Sequence, residues 1–244
     1  MSGVEAGVAY GTIVVVGGGC YGSYYVRQLH RAREANALTW DRLIVVDRDP
    51  ACAVATHGGA EHVVADWATF FGEYLKNLEP DTRDAIVPSP LMPHLLYEWL
   101  YDRARDRWPG RRVATVPLGE DATVDVPWQR PGVDGTRYVS YATWMCPVNC
   151  IEPAKCPHTR GPRDWTMPAA VASLAEAERA RGRPVAGPVI FHCTHRAYGV
   201  GMIDCAAVVA ADSVVRAAGT AGPARVLVGT VSHCHGALSV LSIE

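Results

Sequence analysis

The stretch TIVVVGGGCYGSYYVRQL, residues 12 to 29, constrains the fold more than any other. A β-branched run, Thr12 to Val16, reads as a buried strand. It runs straight into Gly17-Gly18-Gly19-Cys20-Tyr21-Gly22, after which Tyr21, Tyr25, Val26 and Leu29 recur near helical spacing. Strand, glycine turn and helix together give the pattern G-x-G-x-x-G on Gly17, Gly19 and Gly22. A pyrophosphate needs a tight turn at the first glycine, bare backbone at the second and close helix–strand packing at the third. Amides at the helix start, on Cys20 and Tyr21, then face its charge. A second strand, RLIVVD, ends on Asp47, where a carboxylate can take ribose hydroxyls. Arg48 follows and could accept a 2′-phosphate, but Asp47 would repel that group, so NAD(H) is expected over NADP(H). A tight turn in an α/β protein without a nucleotide is the alternative.

The same rhythm continues. EHVVAD, RDAIVPS and RRVATVP read as strands, and WATFFGEYLKNL and MPHLLYEWLYDRARDRW as helices between them. Alternation of this kind implies an α/β fold with a Rossmann-type, mostly parallel sheet and right-handed crossovers. Gly19, Asp47, Asp66 and the loop from Pro88 to His94 are expected on one ligand rim at the carboxyl ends of the strands.

IVVVGGGCYGSYYVRQL, then IVVDRDP, then VVADWA resemble the NAD-binding Rossmann domains of the TrkA-N type. The resemblance covers about the first 117 residues. It implies nucleotide contacts from Gly17, Gly19, Gly22 and Asp47, with Asp66 on the adenine side. The chain departs from that family at Ala65-Asp66-Trp67, where the family reads Gly-Asp-Ala. Beyond it, VPSPLMPHLLYEWL and YVSYATWMCP look like a group of bacterial proteins labelled transporter-like, which also carries Cys-His-Gly near its C-terminus.

From residue 118 to 166 the rhythm stops, prolines and tryptophans rise, and MCPVNCIEPAKCPH places Cys146, Cys150 and Cys156 in a loop. A long irregular stretch in a compact protein is usually functional. The chain holds 244 residues, 49% of them hydrophobic, with a net charge of -2. That balance argues against a nucleic-acid binder. No apolar run reaches the roughly 20 residues of a membrane span, and the start lacks the pattern of a signal peptide. A cytoplasmic location is therefore expected. In a reducing compartment the eight cysteines favour metal or redox chemistry over disulfides. Cys20, Cys52 and Cys205 sit among apolar or small residues and read as small hydrophobes. A disulfide would leave one of the three loop cysteines over. Zinc could use Cys146 and Cys150 with Cys156 and His158. A [4Fe–4S] cluster suits unequal, proline-braced spacings best. It lacks a fourth thiolate, for which Cys234, in the turn His233-Cys234-His235-Gly236, is preferred over Cys193 in His192-Cys193-Thr194-His195. The histidines of both triplets read as surface or supporting hydrogen-bond groups.

Three regions result: residues 1–117 as the dinucleotide-binding unit, 118–166 as the cysteine-rich region, and 167–244 as an α/β part extending the same sheet. The leading functional expectation is an iron–sulfur protein with a nicotinamide-nucleotide site, redox-linked and leaning to an oxidoreductase with a redox partner protein or a small substrate. Against simple electron transfer, no flavin signature is visible to split a hydride's electron pair. The alternatives are a three-cysteine cluster with an open iron as Lewis acid, in a dehydratase or desulfidase, and a non-enzymatic sensor with structural zinc.

Overall fold

The computed structural model describes residues 7–147 and 150–244. The first six residues, on which part of the signal-peptide reading rests, and Val148 and Asn149 inside the cysteine segment lie outside the described residues. In chain order the elements are β1 (Val8–Val16), α1 (Cys20–Glu34), β2 (Leu38–Asp47), α2 (Ala53–His57), β3 (Glu61–Val64), α3 (Trp67–Tyr74), β4 (Ala85–Val87), α4 (Leu95–Arg107), β5 (Val113–Val116) and β6 (Trp128–Pro131). There follow β7 (Arg137–Ser140), α5 (Met167–Ala180), β8 (Ala186–His192), β9 (Thr194–Ala197), β10 (Val200–Asp204), α6 (Cys205–Ala221), β11 (Ala224–Val231) and β12 (His235–Ile243). They form two compact units.

The first unit comprises Met1–Met92, Val148–Glu152 and Thr194–Ala206. Its sheet has the order β3-β2-β1-β4-β10-β9. β3, β2, β1 and β4 run parallel to their neighbours, and β10 closes on β4 antiparallel. A parallel strand covered on both faces must be apolar throughout. Ile13 to Val16 and Leu43 to Val46 meet that requirement and are buried. Val26, Leu29 and Ala32 turn one stripe of α1 into the same core. Glycine turn, β2 end and β3 end fall at the carboxyl ends of parallel strands, as the alternation predicts.

The second unit comprises Pro93–Pro147, Pro153–Cys193 and Ala207–Glu244. Its sheet runs β6-β7-β12-β11-β8, with β5 also paired to β12. Only β8 and β11 are parallel there; β5, β7 and β11 all pair antiparallel with β12. Two expectations are corrected here. RRVATVP does make a strand, but β5 is not the fifth parallel strand of the first sheet. The C-terminal strands do not extend that sheet either, apart from the β9–β10 hairpin. The pairing of β5 is secured by Arg111, whose guanidinium donates to the carbonyls of Gly222 at 2.8 Å and Ile243 at 2.9 Å. Arg112 and Glu244 also exchange both backbone hydrogen bonds. The expected loop at 118–166 contains two short strands, β6 and β7, joined as an antiparallel hairpin. From Tyr141 to Thr166 the described backbone carries no regular element beyond one isolated bridge, Lys155 to Pro162. Among the described residues no helix is long and apolar enough to cross a membrane.

Candidate functional site

In the first unit the three glycines occupy three different environments. Gly17 adopts φ +87, a left-handed conformation that side chains disfavour. A Cβ on Gly22 would collide with the Gly17 carbonyl, so only glycine lets α1 pack this tightly on the turn. Among the described residues, a Cβ on Gly19 would meet nothing within 4 Å. The described residues thus leave the space above the start of α1 open, and Gly19 is the N-cap of that helix. Cys20 and Tyr21, the first two residues of that helix, are exposed.

Asp47 organises the turn. One carboxylate oxygen accepts the Gly18 amide at 2.6 Å and the other accepts the Asp49 amide at 2.9 Å. Each carboxylate oxygen has a further lone pair, so Asp47 keeps acceptor capacity for a hydroxyl while holding both amides. Arg48 is exposed beside them. Asp66 serves differently: its carboxylate caps α3 by accepting from Ala68 and Thr69 amides at 3.0 and 3.3 Å. Three neighbours of the turn escaped sequence reasoning. Trp67 donates its indole N–H to the Val46 carbonyl at 2.9 Å and lies against Gly17. Cys52 Sγ packs against Gly18 and stands 3.5 Å from His62 Nε2. Nothing in their spacing marks them, because strand pairing and the turn itself bring them together.

In the second unit one end of the sheet gathers the other candidates. Register pairs Val231 with both His192 and Gly236, and His235 with Ser140. The His192-Cys193 end, the His233-Cys234-His235 turn and the start of the cysteine segment are therefore neighbours. The Cys234 carbonyl accepts the Tyr141 amide at 2.9 Å, and its sulfur accepts the Trp165 indole N–H at 3.4 Å. Ser140 gives its hydroxyl proton to the Ala142 carbonyl at 2.7 Å. His235 Nδ1 lies 2.8 Å from the same hydroxyl, a contact that orients the imidazole. Orientation of a ring by a bond to its other nitrogen is a common support for metal-ligating histidines.

Cys156 is buried and held in a tight loop, its amide donating to Gly161 and its carbonyl accepting from Arg160. The Thr159 amide directed at its sulfur holds the thiol below the usual range. Burial opposes this, and the Thr159 hydroxyl, the His158 amide and the Arg163 charge reinforce it. Amides aimed at sulfur favour a thiolate, which is the ligating form. Trp144 stacks on His158 at 4.3 Å between ring centres and 8° between planes. That stack ties the segment before Cys146 to the residues after Cys156. Cys150 falls in the first unit. Among the described residues no group of three or more His, Cys, Asp or Glu side chains is disposed to hold a metal ion. The chemistry of Cys156 fits a metal ligand, but the donors as placed do not form a complete set.

Residues 96–244 match the model of a family described as "Uncharacterized protein, C-terminal domain", and the chain belongs to that family. The match starts within α4 and leaves the glycine turn outside it. No curated protein and no solved structure matches the chain.

Proposed function

We propose that the first unit is a Rossmann-type, TrkA-N-like binding unit for NAD(H), and that the cysteines take a metal centre to which the nucleotide is redox-linked. The observation that carries the nucleotide reading is the contact between Asp47 and the Gly18 amide at the end of two parallel strands. A carboxylate fixed there by backbone amides keeps lone pairs to accept from ribose hydroxyls. The strand order β3-β2-β1-β4 and the separate constraints on Gly17, Gly19 and Gly22 support the same reading. In this arrangement Gly17 turns the chain, Gly19 admits the pyrophosphate and the α1 amides face its charge.

For the metal, Cys146, Cys150 and Cys156 with Cys234 would hold a [4Fe–4S] cluster, and the low thiol of Cys156 is the observation that favours ligation. Such a cluster supplies one-electron transfer or, with an open iron, Lewis acidity. Structural zinc on the same thiolates, in a sensor working without catalysis, is the second reading. The proposal places the protein in a reducing, cytoplasmic setting with a redox partner. Dinucleotide titration of the native chain and of Gly19→Leu tests the first claim, and metal content after anaerobic purification tests the second.

A further inference from the structure

The outer face of α1 borders a cleft of about 410 Å³ in the first unit. Ser23, Arg27, His30, Arg31 and Glu34 lie on one stripe of the helix, at the spacing that aligns side chains along its axis. The opposite wall is α2 and the Gly58-Gly59 turn, and Val26 and Val54 give the cleft an apolar floor. Two of its lining side chains, Arg27 and Arg31, are cationic, against one carboxylate on Glu34, and His30 and His57 line it as well.

The walls are anchored. His30 Nε2–H donates to the Gly59 carbonyl at 2.6 Å, and His57 Nδ1–H to the Ala53 carbonyl at 2.5 Å. Gly58 adopts φ +71, and among the described residues a Cβ there would meet nothing within 4 Å. Arg31 is steadied by Gln28 at 3.0 Å and lies over the Tyr198 ring. Arg27 is exposed one turn away on the same face. Ser23 provides an independent sign of a ligand. It lines the cleft, is nine-tenths buried, and its hydroxyl oxygen has no hydrogen-bond partner among the described residues. Buried hydroxyls are ordinarily paired, and an unpaired one calls for a bound partner.

We infer that this cleft binds a small oxyanion carried on an apolar body, its charge on Arg27 and Arg31, its body on Val26 and Val54, and its near end hydrogen-bonded to Ser23. Arginine matches the planar oxygen pairs of phosphate and carboxylate alike. The site is separate from the glycine turn and does not depend on nucleotide binding there.

Amide NMR titration with phenyl phosphate, benzoate and phenol tests it. The expected result is that at least one of the two anions shifts signals along α1 and residues 54–59, while phenol does not. Binding by phenyl phosphate alone assigns the group as phosphate, and binding by both anions assigns a general oxyanion site. Arg27→Glu with Arg31→Glu should weaken the anion at least tenfold, and both positions are exposed, so the fold should persist. Ser23→Ala should not lower the melting temperature, since no bond is lost, yet reduce affinity severalfold. Gly19→Leu should remove dinucleotide binding and leave the anion titration intact. Shifts confined to residues 17–22, unchanged affinity in the double variant, or phenol binding as well as the anions would overturn the inference.

Discussion

Gly22 stands so close to Gly17 that the carbonyl of one occupies the place a side chain on the other would need. Backbone, not a flexible side chain, fills that space, so relief requires the turn to open. Gly22→Ala should therefore cost about 2–4 kcal/mol, within the range of strain at special backbone positions. Thermal unfolding should show this as a large fall in melting temperature. Gly19→Leu, with open space around it, should stay within about 0.5 kcal/mol of the native chain.

Asp212 of α6 accepts from Arg103 at 2.9 Å and from Arg107 at 2.9 and 3.0 Å, both on α4. Burial pushes this carboxyl up, but the hydrogen bonds and charges of the two arginines outweigh it and hold the group below the usual range. A carboxyl depressed in the folded state adds stability above the unfolded value of about 3.9 and loses it as pH falls through the depressed value. Asp212→Ala should cost about 2–3 kcal/mol at neutral pH, less than a fully buried pair because the arginines are partly exposed. The difference between variant and native chain should vanish in strong acid, as denaturant unfolding across pH would show.

Cys156 and Cys205 should respond to pH in opposite senses. With its thiol depressed, Cys156 contributes stability above the ordinary thiol value of about 8.5, lost as pH falls through the lower folded value. Burial, then Asp84 and Asp204, push the Cys205 thiol well up, so its contribution is full below about 8.5 and declines as pH rises beyond it. In metal-free protein, Cys156→Ser should flatten the gain in stability on approaching that range, and Cys205→Ala should soften the loss above it. Unfolding curves between pH 6 and 10 would separate the two.

How much of this was legible in the sequence depended on the range of the contacts involved. The βαβ rhythm and the glycine turn were readable because neighbouring residues dictate them: a buried strand, a positive φ at Gly17 and an apolar stripe on α1. The partner of β5 was not readable, since Val113 to Val116 would suit either sheet and Arg111 decides through contacts more than a hundred residues away. Asp66 shows another limit. An aspartate at the end of a strand can meet a ligand or cap the next helix, and the following Ala68 and Thr69 amides make it a cap. The Cys52–His62 pair and the Trp67 contact at the turn arise from pairing of β2 with β3, which no local spacing records.

The metal reading makes its own demand. Protein purified without oxygen should be brown and carry about four irons per chain, the content of one [4Fe–4S] cluster. Cys156→Ala and Cys234→Ala should each lower that content, whereas Cys193→Ala should not. Stoichiometric zinc with no iron under the same handling would favour the sensor reading.

Calorimetric titration of the native chain with NADH reads dinucleotide binding at the Gly17–Gly22 turn and Asp47. Saturable binding of one NADH per chain is expected, tighter than NADPH, abolished by Gly19→Leu and weakened by Asp47→Ala. Absence of heat and of saturation with the folded, metal-replete protein, or equal binding by Gly19→Leu, would contradict it.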